Sequence, residues 1–126
     1  MSKIIIVEDD ESLAELYRIS FTKENYEVIL ASDGEEGLGK VLTDMPDIVL
    51  LDVMMPKMNG LEVLAKLKDN PSTSKLPVIM ISNINDPSVE NVAMQKGANL
   101  YLVKSQFVPK EIVAKVKELL ISLPSQ

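Results

Sequence analysis

The 126-residue sequence contains neither cysteine nor histidine. Without cysteine there is no disulfide framework, no thiol nucleophile and no zinc–thiolate site. Without histidine there is no imidazole base, no Ser–His dyad and little scope for a transition-metal site. A basic surplus is missing too. The net charge is −6, whereas a domain that grips nucleic acid through its phosphates carries a positive excess. Nucleic acid is therefore not an expected partner, and proteins are. No run of about 18 apolar residues occurs, so no helix is expected to span a membrane. Met1-Ser2-Lys3 leads into a short apolar segment without a signal-peptide cleavage pattern, so a cytoplasmic location is expected. What remains for chemistry is carboxylates, lysine, serine and threonine, with any metal held through oxygen.

What is present is a core. Apolar residues make up 46% of the chain, enough for one domain of ordinary size. Short apolar runs alternate with helical patterns. Ile4–Val7, Glu27–Ala31, Ile48–Asp52, Val78–Ile81 and Leu100–Val103 read as five strands. From Asp10 the period changes, and Leu13, Leu16, Tyr17, Ser20 and Phe21 fall on one helical face. Ser32-Asp33-Gly34-Glu35 has the spacing of a capping box opening a second helix. Gly37 and Gly39 lie in that helix and make it the weakest expected, at about 1 kcal/mol each against alanine.

Asn59-Gly60-Leu61-Glu62 reads as a third cap, with Leu61, Leu64 and Leu67 inward, and Asn70–Ser74 as a loop. Asp86-Pro87 reads as an N-cap followed by proline in the first turn, with Gly97 closing that helix near Lys96. Pro109 opens a last helix carrying Ile112, Val113, Val116, Leu119 and Leu120, and Pro124 stops it. The pattern is (βα)₅, a doubly wound five-stranded parallel sheet covered on both faces. A single domain over residues 1–126 with no output domain is expected.

In such sheets ligands bind beyond the carboxyl ends of the strands, where the strand order reverses. Glu8-Asp9-Asp10 ends the first apolar run and Asp52 the third, while Ser82 and Lys104 end the fourth and fifth. Carboxylates crowded at the end of a sheet repel one another and invite a divalent cation. That arrangement points to chemistry at a carboxylate, and first to phosphoryl transfer. Each residue also has a plainer reading. Asp52 alone suits a turn, Glu8 and Asp9 an acidic first helical turn, Lys104 a solvated surface and Tyr101 a core aromatic. Met55 reads as packing, while Met54 and Met58 fit either packing or an adaptable surface.

Val7-Glu8-Asp9, Asp52-Val53-Met54-Met55-Pro56 with Gly60, Ser82, and Tyr101-Leu102-Val103-Lys104 resemble, in order and spacing, the receiver domains of two-component response regulators of the chemotaxis-regulator type. The resemblance covers essentially the whole chain and implies the strand order 2-1-3-4-5. It implies that Asp52 is the phosphoacceptor, and that Asp9, Asp52 and the backbone carbonyl of Met54 ligate Mg²⁺ (or Mn²⁺), with Glu8 acting through water. It makes Lys104 the partner of Asp52 and of the phosphoryl oxygens, Ser82 the switch hydroxyl and Tyr101 the switch aromatic. It also implies a sensor histidine kinase or histidine phosphotransfer protein as donor. A downstream protein would bind the face of the fourth helix, fifth strand and fifth helix, and the chain would be a monomer or a phosphorylation-dependent dimer.

Two positions depart from the family's pattern. Ser105 follows Lys104 where proline is usual, and a cis bond before a non-proline residue costs about 2.5–4 kcal/mol, which argues against the usual cis turn. Asn83 stands where a small residue is usual, and Met54 with Ile84 would flank and shield an acyl phosphate. The main rival is a phosphorylation-independent receiver-like protein-binding module. A phosphatase with an aspartate nucleophile would need a second acid where Met54 stands. A flavodoxin-like flavin carrier would need a phosphate-binding loop that is missing.

Overall fold

In a computed structural model the described residues are 1–123, so the expected stop at Pro124 lies outside them. The elements alternate without exception: β1 (Lys3–Val7), α1 (Glu11–Lys23), β2 (Glu27–Ala31), α2 (Gly34–Asp44), β3 (Ile48–Asp52), α3 (Gly60–Asp69), β4 (Val78–Ser82), α4 (Pro87–Gln95), β5 (Leu100–Val103) and α5 (Pro109–Ser122). A short 3₁₀ turn, Lys104–Gln106, joins β5 to α5. All pairings are parallel, in the order β2-β1-β3-β4-β5. The order reverses at β1, between β2 and β3.

The strands are apolar throughout because both of their faces are covered. Successive side chains point to opposite faces. Ile5, Val7, Val49, Leu51, Val78 and Met80 therefore pack with Val41, Val63, Leu64 and Ala93, beneath α2, α3 and α4. Ile4, Ile6, Ile48, Leu50, Ile79 and Ile81 pack with Tyr17, Phe21, Ile112 and Val116, beneath α1 and α5. The most apolar strand, β3, is fully buried at the centre.

Helices α1, α3, α4 and α5 start where the sequence suggests, and three of them have a side-chain cap. Asn59 Oδ1 accepts from Glu62 N at 3.0 Å, Asp86 Oδ1 accepts from Ser88 N at 2.9 Å, and Asp10 Oδ1 accepts from Leu13 N at 3.1 Å. Helix α2 corrects the reading. Its cap is Asp33, whose Oδ1 accepts from Glu36 N at 2.8 Å. Glu36, not Glu35, reaches back to Ser32 N at 2.6 Å. The cap is thus one residue later than expected and is not a reciprocal box, because Asp33 also carries a capping oxygen.

Leu16 is 52% exposed instead of inward. It lies about 100° around the helix from Tyr17, off the face that Tyr17 and Phe21 share. Gly37 does more than weaken α2, since a Cβ there would stand 2.8 Å from the methyls of Val7. Its bare backbone lets α2 approach β1. Gly39 faces open space and carries only the entropic penalty.

Candidate functional site

The carboxyl ends of β1, β3, β4 and β5 converge because parallel strands of similar length start at one level. Asp52 is the last residue of β3 and is 3% exposed. The chain after it is held by two backbone bonds, Val53 N to Ile81 O at 3.0 Å and Gly60 N to Val53 O at 2.8 Å. Gly60 is required by contact: a Cβ there would lie 2.1 Å from the carbonyl oxygen of Asp52. Asp52 Oδ1 accepts from Met54 N at 3.3 Å and Oδ2 from Lys104 Nζ at 3.0 Å.

Glu8 follows β1 and is 2% exposed. Its backbone N donates to Ala31 O at 3.0 Å, and its Oε2 accepts from Asp10 N at 3.1 Å. Its Oε1 lies 2.6 Å from Lys104 Nζ. This contact is a buried, charge-assisted ion pair. One ammonium thus faces two buried carboxylates. Burial, helped by the charge of Asp52, pushes the Glu8 carboxyl up to about 7, against the opposing pull of Lys104 and of Asp10 N–H. Burial alone would lower the Lys104 ammonium, but the contacts with Glu8 and Asp52 outweigh it and hold the group above the usual lysine range.

Glu8, exposed Asp9 and Asp52 bring carboxylate oxygens within 4.8 Å of one another. Three carboxyl groups around one ammonium form an oxygen-only site suited to a hard divalent cation such as Mg²⁺ or Mn²⁺. The surrounding cleft has a volume of about 500 Å³ and continues past Lys104 onto an apolar wall of Leu13, Tyr17, Phe107 and Pro109.

Ser82 is fully buried, and its Oγ accepts from Ile84 N at 3.0 Å. The Tyr101 hydroxyl donates to Ile84 O at 2.8 Å. Ile84 therefore joins the two residues through its own peptide groups. The structure brings Glu8, Asp9, Asp52 and Lys104 together and joins Ser82 and Tyr101 to each other through Ile84. The Met54 side chain is 62% exposed at the rim, while Met55 and Met58 pack against the core. No peptide bond is cis among the described residues, so the turn at Ser105 is trans.

Sequence reasoning did not place Tyr17 and Phe107 on the cleft wall. Tyr17 was legible only as a core position, because helical periodicity shows which face is inward and not what lies beneath it.

The family described as the response regulator receiver domain matches residues 4–117. The alkaline phosphatase synthesis transcriptional regulatory protein PhoP of Bacillus subtilis is 37% identical over 118 residues, covering 94% of this chain and 48% of that protein. The response regulator ArlR of Staphylococcus aureus is 36% identical over 126 residues, covering 100% of this chain and 56% of that protein. The chain thus spans about half the length of these curated relatives. A response regulator structure from Chloroflexus aurantiacus superposes with a TM-score of 0.88 at 33% identity, covering 95% of this chain and 98% of that one. The chemotaxis protein CheY4 of Vibrio cholerae superposes with a TM-score of 0.87 at 27% identity, covering 94% and 98%. Among the described residues no helix is long and apolar enough to cross a membrane.

Proposed function

The chain belongs to the response regulator receiver domain family, and from that premise we propose that it is a phosphorylatable switch whose acceptor is Asp52. One observation carries the reading: a buried carboxylate at the end of the central strand, held by Lys104 inside an acidic cluster. A carboxylate needs no deprotonation near neutral pH, so the absence of histidine is no handicap. The donor is a phosphohistidine on a sensor kinase or a histidine phosphotransfer protein. An oxygen of Asp52 attacks phosphorus, the P–N bond breaks, and the imidazole leaves with the electron pair. Catalysis in such a transfer is positioning and charge stabilisation.

Asp9, Asp52 and the Met54 carbonyl would hold Mg²⁺ or Mn²⁺ directly, and Glu8 would act through water. When bound, the cation supplies positive charge against the crowded carboxylates and the incoming phosphoryl group. Lys104 follows the charge from Asp52 to a phosphoryl oxygen. Ser82 turns its hydroxyl from Ile84 N to a second phosphoryl oxygen. Tyr101, tied to the Ile84 carbonyl, moves with that loop, and the face of α4, β5 and α5 changes its affinity for a downstream protein. Inverting a 1:99 equilibrium takes about 5.5 kcal/mol, and new charge-assisted hydrogen bonds from Ser82 and Lys104 supply part of it. The domain promotes its own phosphorylation and hydrolysis, acts in the cytoplasm and forms one receiver unit. A phosphorylation-independent module would have no use for two buried carboxylates sharing one ammonium.

The test is incubation with acetyl phosphate and Mg²⁺ followed by intact mass. The wild type gains one phosphoryl group and Asp52→Ala gains none. A wild type that stays unmodified, or a variant that is modified equally, would overturn the reading.

A further inference from the structure

The Asp33-Gly34 pair at the start of α2 carries no part of the chemistry above, yet Gly34 makes the tightest approach of any glycine in the chain. A Cβ there would stand 1.8 Å from the carbonyl oxygen of Met58 and 2.7 Å from its carbon. Gly34 is buried, and only a residue without a side chain lets Met58 come so close. Beside it, Asp33 Oδ2 lies 3.6 Å from Lys57 Nζ. Lys57 and Met58 belong to the loop that joins β3 to α3.

The amide side of that loop is well tied. Val53 N donates to Ile81 O at 3.0 Å and Met54 N to Asp52 Oδ1 at 3.3 Å. Those bonds do not set the Met54 carbonyl, because it belongs to the next planar peptide unit, which leads into Met55. Between Met55 and Met58 the only backbone bond among the described residues is Met58 N to Pro56 O, at 2.8 Å. Lys57 stands at φ 68°, in the left-handed region that lysine rarely adopts. A loop with one internal bond does not hold such a residue by itself, so its surroundings impose the path. The Met55 and Met58 side chains pack against the core, and the backbone at Met58 rests on Gly34.

We propose that Asp33 and Gly34 are positioning residues of the cation centre: they seat the loop at Lys57 and Met58, and so fix the tilt of the Met54 carbonyl beside Asp52. The inference rests on the reading of that carbonyl as a cation ligand. Gly34 supplies the close seat. Asp33 caps α2 with Oδ1, which accepts from Glu36 N at 2.8 Å, and faces Lys57 with Oδ2. Helix start and loop are thereby one unit. A backbone carbonyl has no side-chain torsion with which to correct a displaced chain, so it depends on its support more than Asp9 or Asp52 does.

The experiment uses the whole chain and the metal alone. Mn²⁺ affinity is read from the electron paramagnetic resonance of the free ion. The carbonyls are read with ¹³C-carbonyl methionine, each assigned through the ¹⁵N of the residue that follows it. Gly34→Ala should weaken Mn²⁺ binding about tenfold, the lower end of what loss of an outer contact costs. It should also move the Met54 carbonyl resonance in the metal-free protein. Gly39→Ala, in the same helix but facing open space, should do neither. Asp33→Asn keeps a capping oxygen and loses the charge, and should weaken Mn²⁺ about twofold. Wild-type affinity or an unmoved Met54 resonance in Gly34→Ala overturns the proposal, and wild-type affinity in Asp33→Asn overturns the part given to Asp33. In the wild type, saturating Mg²⁺ should move the Met54 carbonyl and leave that of Met58 in place. A Met58 signal that moves as far shows a loop without a fixed seat, and decides against the proposal even if Gly34→Ala folds poorly. Mg²⁺ that binds without moving the Met54 carbonyl defeats the ligand reading instead, and leaves the metal-free resonance to judge the seat.

Discussion

At both ends of the sheet a lysine meets an aspartate, with opposite consequences. At the amino end, Lys3 N donates to exposed Asp47 at 2.7 Å and Lys3 Nζ to the Asp44 carbonyl at 3.1 Å. Asn99 Oδ1 there accepts from Val78 N at 2.9 Å. Each side chain satisfies a backbone group and no ion pair is buried there among the described residues, so little electrostatic energy is at stake. At the carboxyl end, Lys104 serves Glu8 and Asp52 where both carboxylates are buried. There the desolvation penalty is large and the charges do not balance. One end closes the fold, and the other holds unspent electrostatic demand that a cation or a phosphoryl group can meet.

The largest effect should come from Lys104→Met, which leaves two buried carboxylates without their counter-charge. Removing one partner of a buried pair costs about 3–5 kcal/mol. Urea unfolding in metal-free buffer should show it, and added Mg²⁺ should restore part of it. A variant as stable as wild type would mean that the two ends do not differ as described.

Gly60→Ala comes next. Its Cβ would meet the Asp52 carbonyl at 2.1 Å, and relieving such overpacking costs about 1–3 kcal/mol. Phosphoryl uptake should fall with it, because Asp52 must shift. Gly39→Ala, facing open space, should instead stabilise the protein, by about 1 kcal/mol.

Glu8 sharpens the comparison through pH. The folded protein holds the Glu8 proton up to about 7, whereas the ordinary value is 4.5. Between those values the folded state binds more protons than the unfolded one, so this group lowers stability as pH rises from 4.5 to 7, with no further loss above. Glu8→Gln should flatten that fall and make the metal-free protein more stable above pH 7, by on the order of 2 kcal/mol. Thermal unfolding across the range would measure it, and an unchanged profile would assign the pH dependence elsewhere.

Asp47→Ala, at the other end, should cost under about 1 kcal/mol and leave phosphoryl uptake unchanged. A loss as large as that of Lys104→Met would erase the contrast.

Much of this was legible in the chain. The five apolar runs marked the strands because a sheet covered on both faces needs apolar residues on both sides. Asn59 and Asp86-Pro87 marked helix starts because capping is a local interaction. Asp33 was legible too, but Ser32 beside it offered a competing cap, and only the folded backbone chose between them. Leu16 misled because helical spacing places the edge of a face less sharply than its centre. The contact of Lys104 with Glu8 was not legible, nor was the link from Ser82 through Ile84 to Tyr101.

The sequence by itself determined the order of elements, the carboxylates at the strand ends and most of the helix starts. These follow from period, capping and backbone freedom, which act over a few residues. The tertiary structure alone decided that one ammonium stands between two acids, with Asp52 lying 52 positions away in the chain, and that Tyr17 of α1 lines the same cleft. Burial and through-space charge set proton affinities and pairing. Both depend on neighbours that are remote in sequence and become adjacent only when the sheet closes.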